Sequence, residues 1–171
     1  HSLTVKGIAA PHHSRYAAED RELLDNKIES VYGKKGVKRQ GVITVATQTV
    51  EQSLDIDADL LIADLCPMDV LLQRIGRLHR HDRKDDDGQS LRPEGYQHAK
   101  CVVLTPEERD MTANIRDSGQ AYPNPGPGLG SVYNDLRIIE ATWRALESRS
   151  SISIPRDNRV LVEESVHPEI I

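Results

Sequence analysis

Phenylalanine is absent from this chain, and one tryptophan and five tyrosines are its only aromatics. Leu, Ile, Val and Ala must therefore fill any core in its 171 residues. There are only two cysteines, Cys66 and Cys101, each in or beside an apolar stretch. That excludes a disulfide framework and argues for buried, reduced thiols of a cytosolic protein. No apolar run approaches the ~20 residues of a membrane span, and no signal peptide stands at the start, so the expected location is cytoplasmic with no membrane partner. A phosphate-cradling G-x-x-x-x-G-K-(S/T) loop is also lacking. Gly33-Lys34-Lys35-Gly36 is too short for one and has no hydroxyl, so this chain alone does not hold ATP in the P-loop manner. A net charge of −5 excludes a generic nucleic-acid coat.

The charge is unevenly spread. Arg74, Arg77, Arg80, Arg83 and Lys84 cluster just before Asp85-Asp86-Asp87, and Lys34, Lys35, Lys38 and Arg39 make a second basic patch. Local basic surface suits a phosphate partner despite the acidic total. The densest information lies in Gln73-Arg74-Ile75-Gly76-Arg77-Leu78-His79-Arg80. At ~3.6 residues per turn, Gln73 and Arg77 share a helix face, with Arg80 one turn on if the helix continues through Gly76. Guanidinium forks match phosphate oxygens and stay charged at any working pH. Such residues stabilise the charge that develops in phosphoryl transfer. The same pattern is also compatible with an ordinary solvated, Arg-rich helix face.

An upstream block narrows the choice. Val42-Ile43-Thr44-Val45-Ala46 fits a buried strand of a parallel sheet. Polar residues from Thr47 to Asp57 follow it, where open α/β sheets place ligands. Leu60-Leu61-Ile62-Ala63 is another apolar strand, ending at Asp64. Pro67 and Asp69 suit the first turn of the helix expected to carry Gln73 and Arg77.

The stretch V-A-T-Q-T-V-E-Q-S-L-D-I-D, followed by L-C-P-M-D-V-L-L-Q-R-I-G-R-L-H-R-H, resembles motifs V and VI of a superfamily 2 helicase. Its wording is similar to the CRISPR-associated helicase–nuclease of type I interference systems. His13-Ser14-Arg15-Tyr16 with Asp20-Arg21 resembles the H-S-R-(F/Y)…D-R stretch of that family, and Ile154-Pro155-Arg156 with Arg159 to Glu163 resembles its C-terminal segment. The strong resemblance covers residues 8–83.

The resemblance implies roles. Arg77 and Arg80 would be the arginine fingers, and Gln73 would contact the γ-phosphate or attacking water. Asp55 matches the motif V acid that binds the nucleotide ribose. Gln52 and Glu51 would couple nucleotide to nucleic acid, and Arg74 would join the nucleotide-binding set. Thr47 would touch the nucleic-acid backbone, as would His13, Ser14 and Arg15 of the motif IV loop. ATP and Mg2+ would be held mainly by an upstream lobe that carries the P-loop. Leu61-Ile62-Ala63-Asp64 mimics a strand-end magnesium aspartate, but without a P-loop before it Asp64 reads as structural. Asp55 is open to a second reading as a solvated loop acid, and Glu51 as a helix-start acid. One departure stands out: His79 occupies a place where the motif Q-R-x-G-R-x-G-R has glycine.

The expected fold class is α/β, a RecA-like parallel sheet flanked by helices. It forms a second helicase lobe truncated at its N-terminus, with a small C-terminal extension. Residues 1–105 would be the partial lobe, 106–131 a Pro- and Gly-rich linker or loop, and 132–171 a helical extension. Within these, 5–10 reads as a strand and 17–32 as an amphipathic helix with a Leu24, Ile28, Val31 and Tyr32 stripe. Residues 82–97 read as a loop and Cys101 to Leu104 as the last strand. Residues 132–148 read as a helix with a Leu136, Ile139, Trp143 and Leu146 stripe, followed by two short extended pieces. His79, His81 and Asp82 have the wrong spacing for one helix face and lack further ligands, so no metal site is expected.

The expected function is the second motor lobe of an ATP-dependent single-stranded DNA translocase or helicase in CRISPR interference. The chain alone would be inactive. Its partners would be single-stranded DNA, the upstream lobe and nuclease domain of the same protein, and the CRISPR surveillance complex. The rivals are another superfamily 2 motor, which the L-H-R-H and E-Q-S-L-D-I-D wording disfavours, and a lobe that binds nucleic acid or a partner without hydrolysis.

Overall fold

A computed structural model describes residues 4–5, 8–9, 16–34, 41–48, 54–107, 116–118, 120 and 132–166. The chain divides into two compact units, His1–Leu61 with Arg74–Cys101, and Ile62–Gln73 with Val102–Ile171.

In the first unit, β1 (Thr4–Val5) and β2 (Ile8–Ala9) form a short antiparallel pair, with Thr4 opposite Ala9 and Val5 opposite Ile8. The single strand expected over 5–10 is thus two. α1 (Ala18–Tyr32) follows. Glu19 and Asp20 lie in its first turn, where negative charge suits the helix dipole. Leu24 and Ile28, four residues apart, are its buried residues, as a helical stripe requires. The helix stops at Gly33, whose amide donates to the Glu29 carbonyl at 2.8 Å. A Cβ at Gly33 would come within 2.5 Å of that carbonyl oxygen, so only glycine fits the stop.

Ile28 packs with Leu54 and Ile56, and Tyr32 and Ala58 border this cluster. The segment 54–58 therefore lies along α1, fastened by the Asp57 amide donating to the Tyr32 carbonyl at 3.1 Å. Its other side meets residues 77–79. Ala58 N–H donates to the Arg77 carbonyl at 2.8 Å and His79 N–H to the Ala58 carbonyl at 3.0 Å, a parallel bridge.

Val42–Ala46 is not the buried strand expected of it. Residues 42, 44 and 46 are half-buried, while Ile43 and Val45 are 75% and 70% exposed. This alternation is that of an extended segment covered on one face. The covered face meets α1, where the Tyr32 hydroxyl donates to the Val42 carbonyl at 3.0 Å and accepts from the Thr44 hydroxyl at 3.1 Å.

β3 (Leu60–Asp64) and β4 (Lys100–Leu104) make a two-stranded sheet. Just past the end of β3, Leu65 N–H donates to the Leu104 carbonyl at 3.0 Å. Both carboxyl ends thus coincide and the strands run parallel. α2 (Met68–Ile75) starts after Pro67 and carries Asp69 in its first turn, with Met68 and Leu71 buried.

In the second unit, α3 (Leu136–Glu147) is capped by Asp135, whose carboxylate accepts from the Arg137 amide at 3.0 Å. Leu136, Ile139 and Trp143 are buried with Leu65, and Val103, Tyr133 and Leu146 border them. The expected Trp143 stripe thus lies in the core. α3 packs on α4 (Asn158–Val166). That helix corrects the expectation of extended pieces in the tail. Val160 and Val162 are β-branched and favour extended backbone locally, but Leu161 and Ser165, one turn apart, are the buried pair of a helix. Burial against α3 thus overrides local propensity.

Cys66 is buried and Cys101 half-buried, and neither is in a disulfide. No helix among the described residues is long and apolar enough to cross a membrane.

Candidate functional site

The expected shared helix face of Gln73, Arg77 and Arg80 does not form, because α2 ends at Ile75. Gly76 is a poor helix former. The chain tightens there, with Arg77 N–H on the Arg74 carbonyl and Leu78 N–H on the Ile75 carbonyl, both at 2.9 Å. The bridge from Ala58 to Leu78 then draws the backbone out of helix. Gln73 is an exposed residue of α2, and Arg74 is half-buried at its end. Arg77 is half-buried past the helix.

His79 has φ +49°. This is the left-handed region that glycine enters freely and other residues enter at a cost. A histidine thus holds a conformation that glycine would enter without strain, at the place where the motif has glycine. Burial pushes the His79 imidazole below its ordinary range and the Arg92 charge adds to this, against the opposing pull of the Asp59 carbonyl and of the Asp59 and Asp57 carboxylates.

Asp55 is where the two sequence blocks meet. Its carboxylate accepts from His81 Nε2 at 2.8 Å and pairs with Arg80 Nε at 3.3 Å. Its backbone amide donates to Glu29 Oε1 at 3.1 Å, so α1 sets its position. Burial raises the Asp55 carboxyl, but the His81 hydrogen bond and charge, the Lys34 amide and the Arg80 charge outweigh it and hold it below the usual range. The side chain remains 43% exposed and Arg80 40% exposed, so both can still reach a ligand. His81 turns its ring to Asp55, and among the described residues no group of three or more His, Cys, Asp or Glu is placed to hold a metal ion.

Thr47 is exposed in the segment after Ala46. His13, Ser14, Arg15, Glu51 and Gln52 lie outside the described residues, as do Lys35, Lys38 and Arg39.

Beneath Asp55 lies a cluster that sequence reasoning missed. Asp57 is fully buried. It accepts from Arg83 Nε and, at 2.8 Å, from Arg92 Nη2. Arg92 also reaches Asp59 at 2.6 Å and the His81 carbonyl at 2.9 Å. Arg83 reaches the Gly33 carbonyl at 3.0 Å. Two arginines and two aspartates thus balance within the first unit. Burying these charges is tolerable because each is paired and hydrogen-bonded. Asp57 and Arg92 are 35 residues apart, and Arg92 sits in a stretch that reads as polar loop, so no local pattern announces the pair.

The family model for the C-terminal part of the CRISPR-associated nuclease/helicase Cas3 matches residues 4–83. The chain is 38% identical over 152 residues to the CRISPR-associated endonuclease/helicase Cas3 of Thermus thermophilus, covering 89% of this chain and 14% of that protein. It is 36% identical over 145 residues to the Escherichia coli protein so named, covering 83% and 14%. It therefore spans about 14% of the length of these curated relatives. Among solved structures, T. fusca Cas3 with ADP superposes with a TM-score of 0.71 at 34% identity, covering 93% of this chain and 17% of that one. A CRISPR RNA-guided surveillance complex in a pre-nicking state gives a TM-score of 0.65 at 30% identity, covering 93% and 18%. The motif blocks, the parallel strand pair and these likenesses agree: the chain belongs to the CRISPR-associated helicase–nuclease family Cas3 and corresponds to its C-terminal helicase lobe.

Proposed function

We propose that this chain is the second motor lobe of an ATP-dependent translocase acting on single-stranded DNA in CRISPR interference. The observation that carries the reading is the meeting of Asp55 with Arg80 and His81, 25 and 26 residues away in sequence, on partly exposed side chains. A carboxylate beside a guanidinium can bind a ribose hydroxyl while the guanidinium turns to a phosphate. Arg77, Arg80 and Gln73 would supply charge and orientation to phosphoryl transfer. Arg74 would add positive charge near the nucleotide, and Glu51 and Gln52 would link it to the DNA.

ATP, when bound, supplies the transferable phosphoryl group, and Mg2+ would sit with the P-loop of an upstream lobe. The residues here fit only part of such a site, having fingers and a ribose acid but no phosphate cradle. Thr47, with His13, Ser14 and Arg15, would hold the DNA backbone, which needs only hydroxyls, amides and positive charge. Residues 1–105 would form the lobe proper, 106–131 its connection, and 132–171 the extension. By the same reading the intact protein joins a nuclease domain and a CRISPR surveillance complex.

The test is ATP-driven displacement of streptavidin from biotinylated single-stranded DNA by the intact protein. Displacement that requires ATP hydrolysis is expected. DNA binding without displacement would instead favour a lobe that binds and does not move.

A further inference from the structure

We propose that Arg92 is a positioning residue for the nucleotide site, setting from behind the spacing between Asp55 and the Arg80–His81 segment. The proposal rests on the motor-lobe reading above. Arg92 is itself nearly inaccessible, with its side chain 4% exposed, so it does not act by touching a ligand. Its guanidinium spans three acceptors: Asp57 and Asp59 on one segment, and the His81 carbonyl on the other. Asp57 lies two residues past Asp55, and the His81 whose backbone Arg92 holds is the residue whose ring meets the Asp55 carboxylate. The fork therefore fixes both ends of the Asp55–His81 contact.

Arg83 supports the same carboxylate from α1's end by bonding Asp57 and the Gly33 carbonyl. It does not touch Asp59 or the His81 backbone through any of those bonds, so it cannot replace the span made by Arg92. Lysine keeps the charge but is a point donor on a flexible stem, and it cannot reproduce a planar fork. A small loss of alignment at a site of this kind has large kinetic consequences.

The experiment is steady-state ATP hydrolysis by the intact protein on single-stranded DNA, for wild type, Arg92→Lys, Asp55→Asn, their double variant and Arg77→Ala, each with a thermal melt. Arg92→Lys is expected to raise KM for ATP at least about threefold, an effect that a smaller folded fraction would not produce. Because Arg92 acts through Asp55, the double variant should be no worse in KM than Asp55→Asn alone, a departure from additivity. A lowered kcat at unchanged KM, or additive KM effects, would overturn the proposal. If Arg92→Lys does not fold, Asp59→Ala removes one bond of the fork. It should raise KM in the same direction, and an unchanged KM overturns the proposal. Arg77→Ala separates the two levels: if it hydrolyses ATP like wild type, this lobe is not the source of the fingers, and the nucleotide-site reading on which this proposal rests fails with it. If it collapses while Arg92→Lys keeps its KM, only the positioning role is lost.

Discussion

Replacing Asp57 with asparagine changes one charge and almost no volume, so its effect isolates the buried ion cluster. Asp57 is fully buried and accepts from both Arg83 and Arg92. Asparagine offers one acceptor oxygen in place of two, and its amide would point donors at one guanidinium. Removing one member of a buried pair typically costs 3–5 kcal/mol. Two features place this case at the lower end. Arg92 keeps Asp59 and the His81 carbonyl, and the Arg83 side chain is 16% exposed and so retains some hydration. The expected loss is about 3 kcal/mol. For a chain of this size, each kcal/mol moves the melting temperature ~2–4 °C. Asp57→Asn should therefore melt about 6–12 °C below wild type. Denaturant unfolding followed by circular dichroism reads the same change as a lower midpoint. A loss under about 0.5 kcal/mol, the range of ordinary surface changes, would refute the reasoning that Asp57 is a needed member of a buried ion cluster.

Other expectations follow from single contacts. His79 binds its proton less readily when folded, so stability is complete above the ordinary value of 6.5 and declines as pH falls through it; His79→Gln should flatten that decline in melts at pH 7.5 and 5.5. Burial pushes the Cys101 thiol up to about 11 from 9.0. It should thus alkylate slowly at pH 8 until the protein unfolds, and its contribution to stability should be lost between pH 9.0 and about 11. Asp135→Ala removes the cap on α3 and should cost ~1 kcal/mol by denaturant unfolding. Ile139→Ala empties a fully buried position beside Trp143; a loss of about 2–5 kcal/mol is expected, with Ile139→Val costing ~0.5–1.5.

The elements read well from the sequence are those whose apolar period survives into burial. Leu24 and Ile28 on α1, and Leu136, Ile139 and Trp143 on α3, lie where a helical stripe puts them. β3 and β4 announced themselves as short apolar runs. α4 was missed because Val160-Leu161-Val162 favours extended backbone locally, while its helix depends on packing against α3. The end of α2 was misplaced because the pairing of Leu78 with Ala58 is a contact across 20 residues. The glycine missing at position 79 did mark an unusual backbone, and the positive φ there gives that departure a physical meaning. Asp55 was legible through its motif. Its partner His81 carries no local signal for that contact, and Arg92 is invisible because nothing near it in sequence hints at a buried carboxylate.

Arg77→Ala tests the motor reading most directly, in the intact protein with single-stranded DNA. Arginine fingers contribute ~10³–10⁵ in turnover. ATP hydrolysis should therefore fall at least about a thousandfold, while nucleotide binding, followed with a fluorescent analogue, persists. DNA-stimulated turnover that survives the substitution would contradict the assignment of this lobe as the source of the fingers.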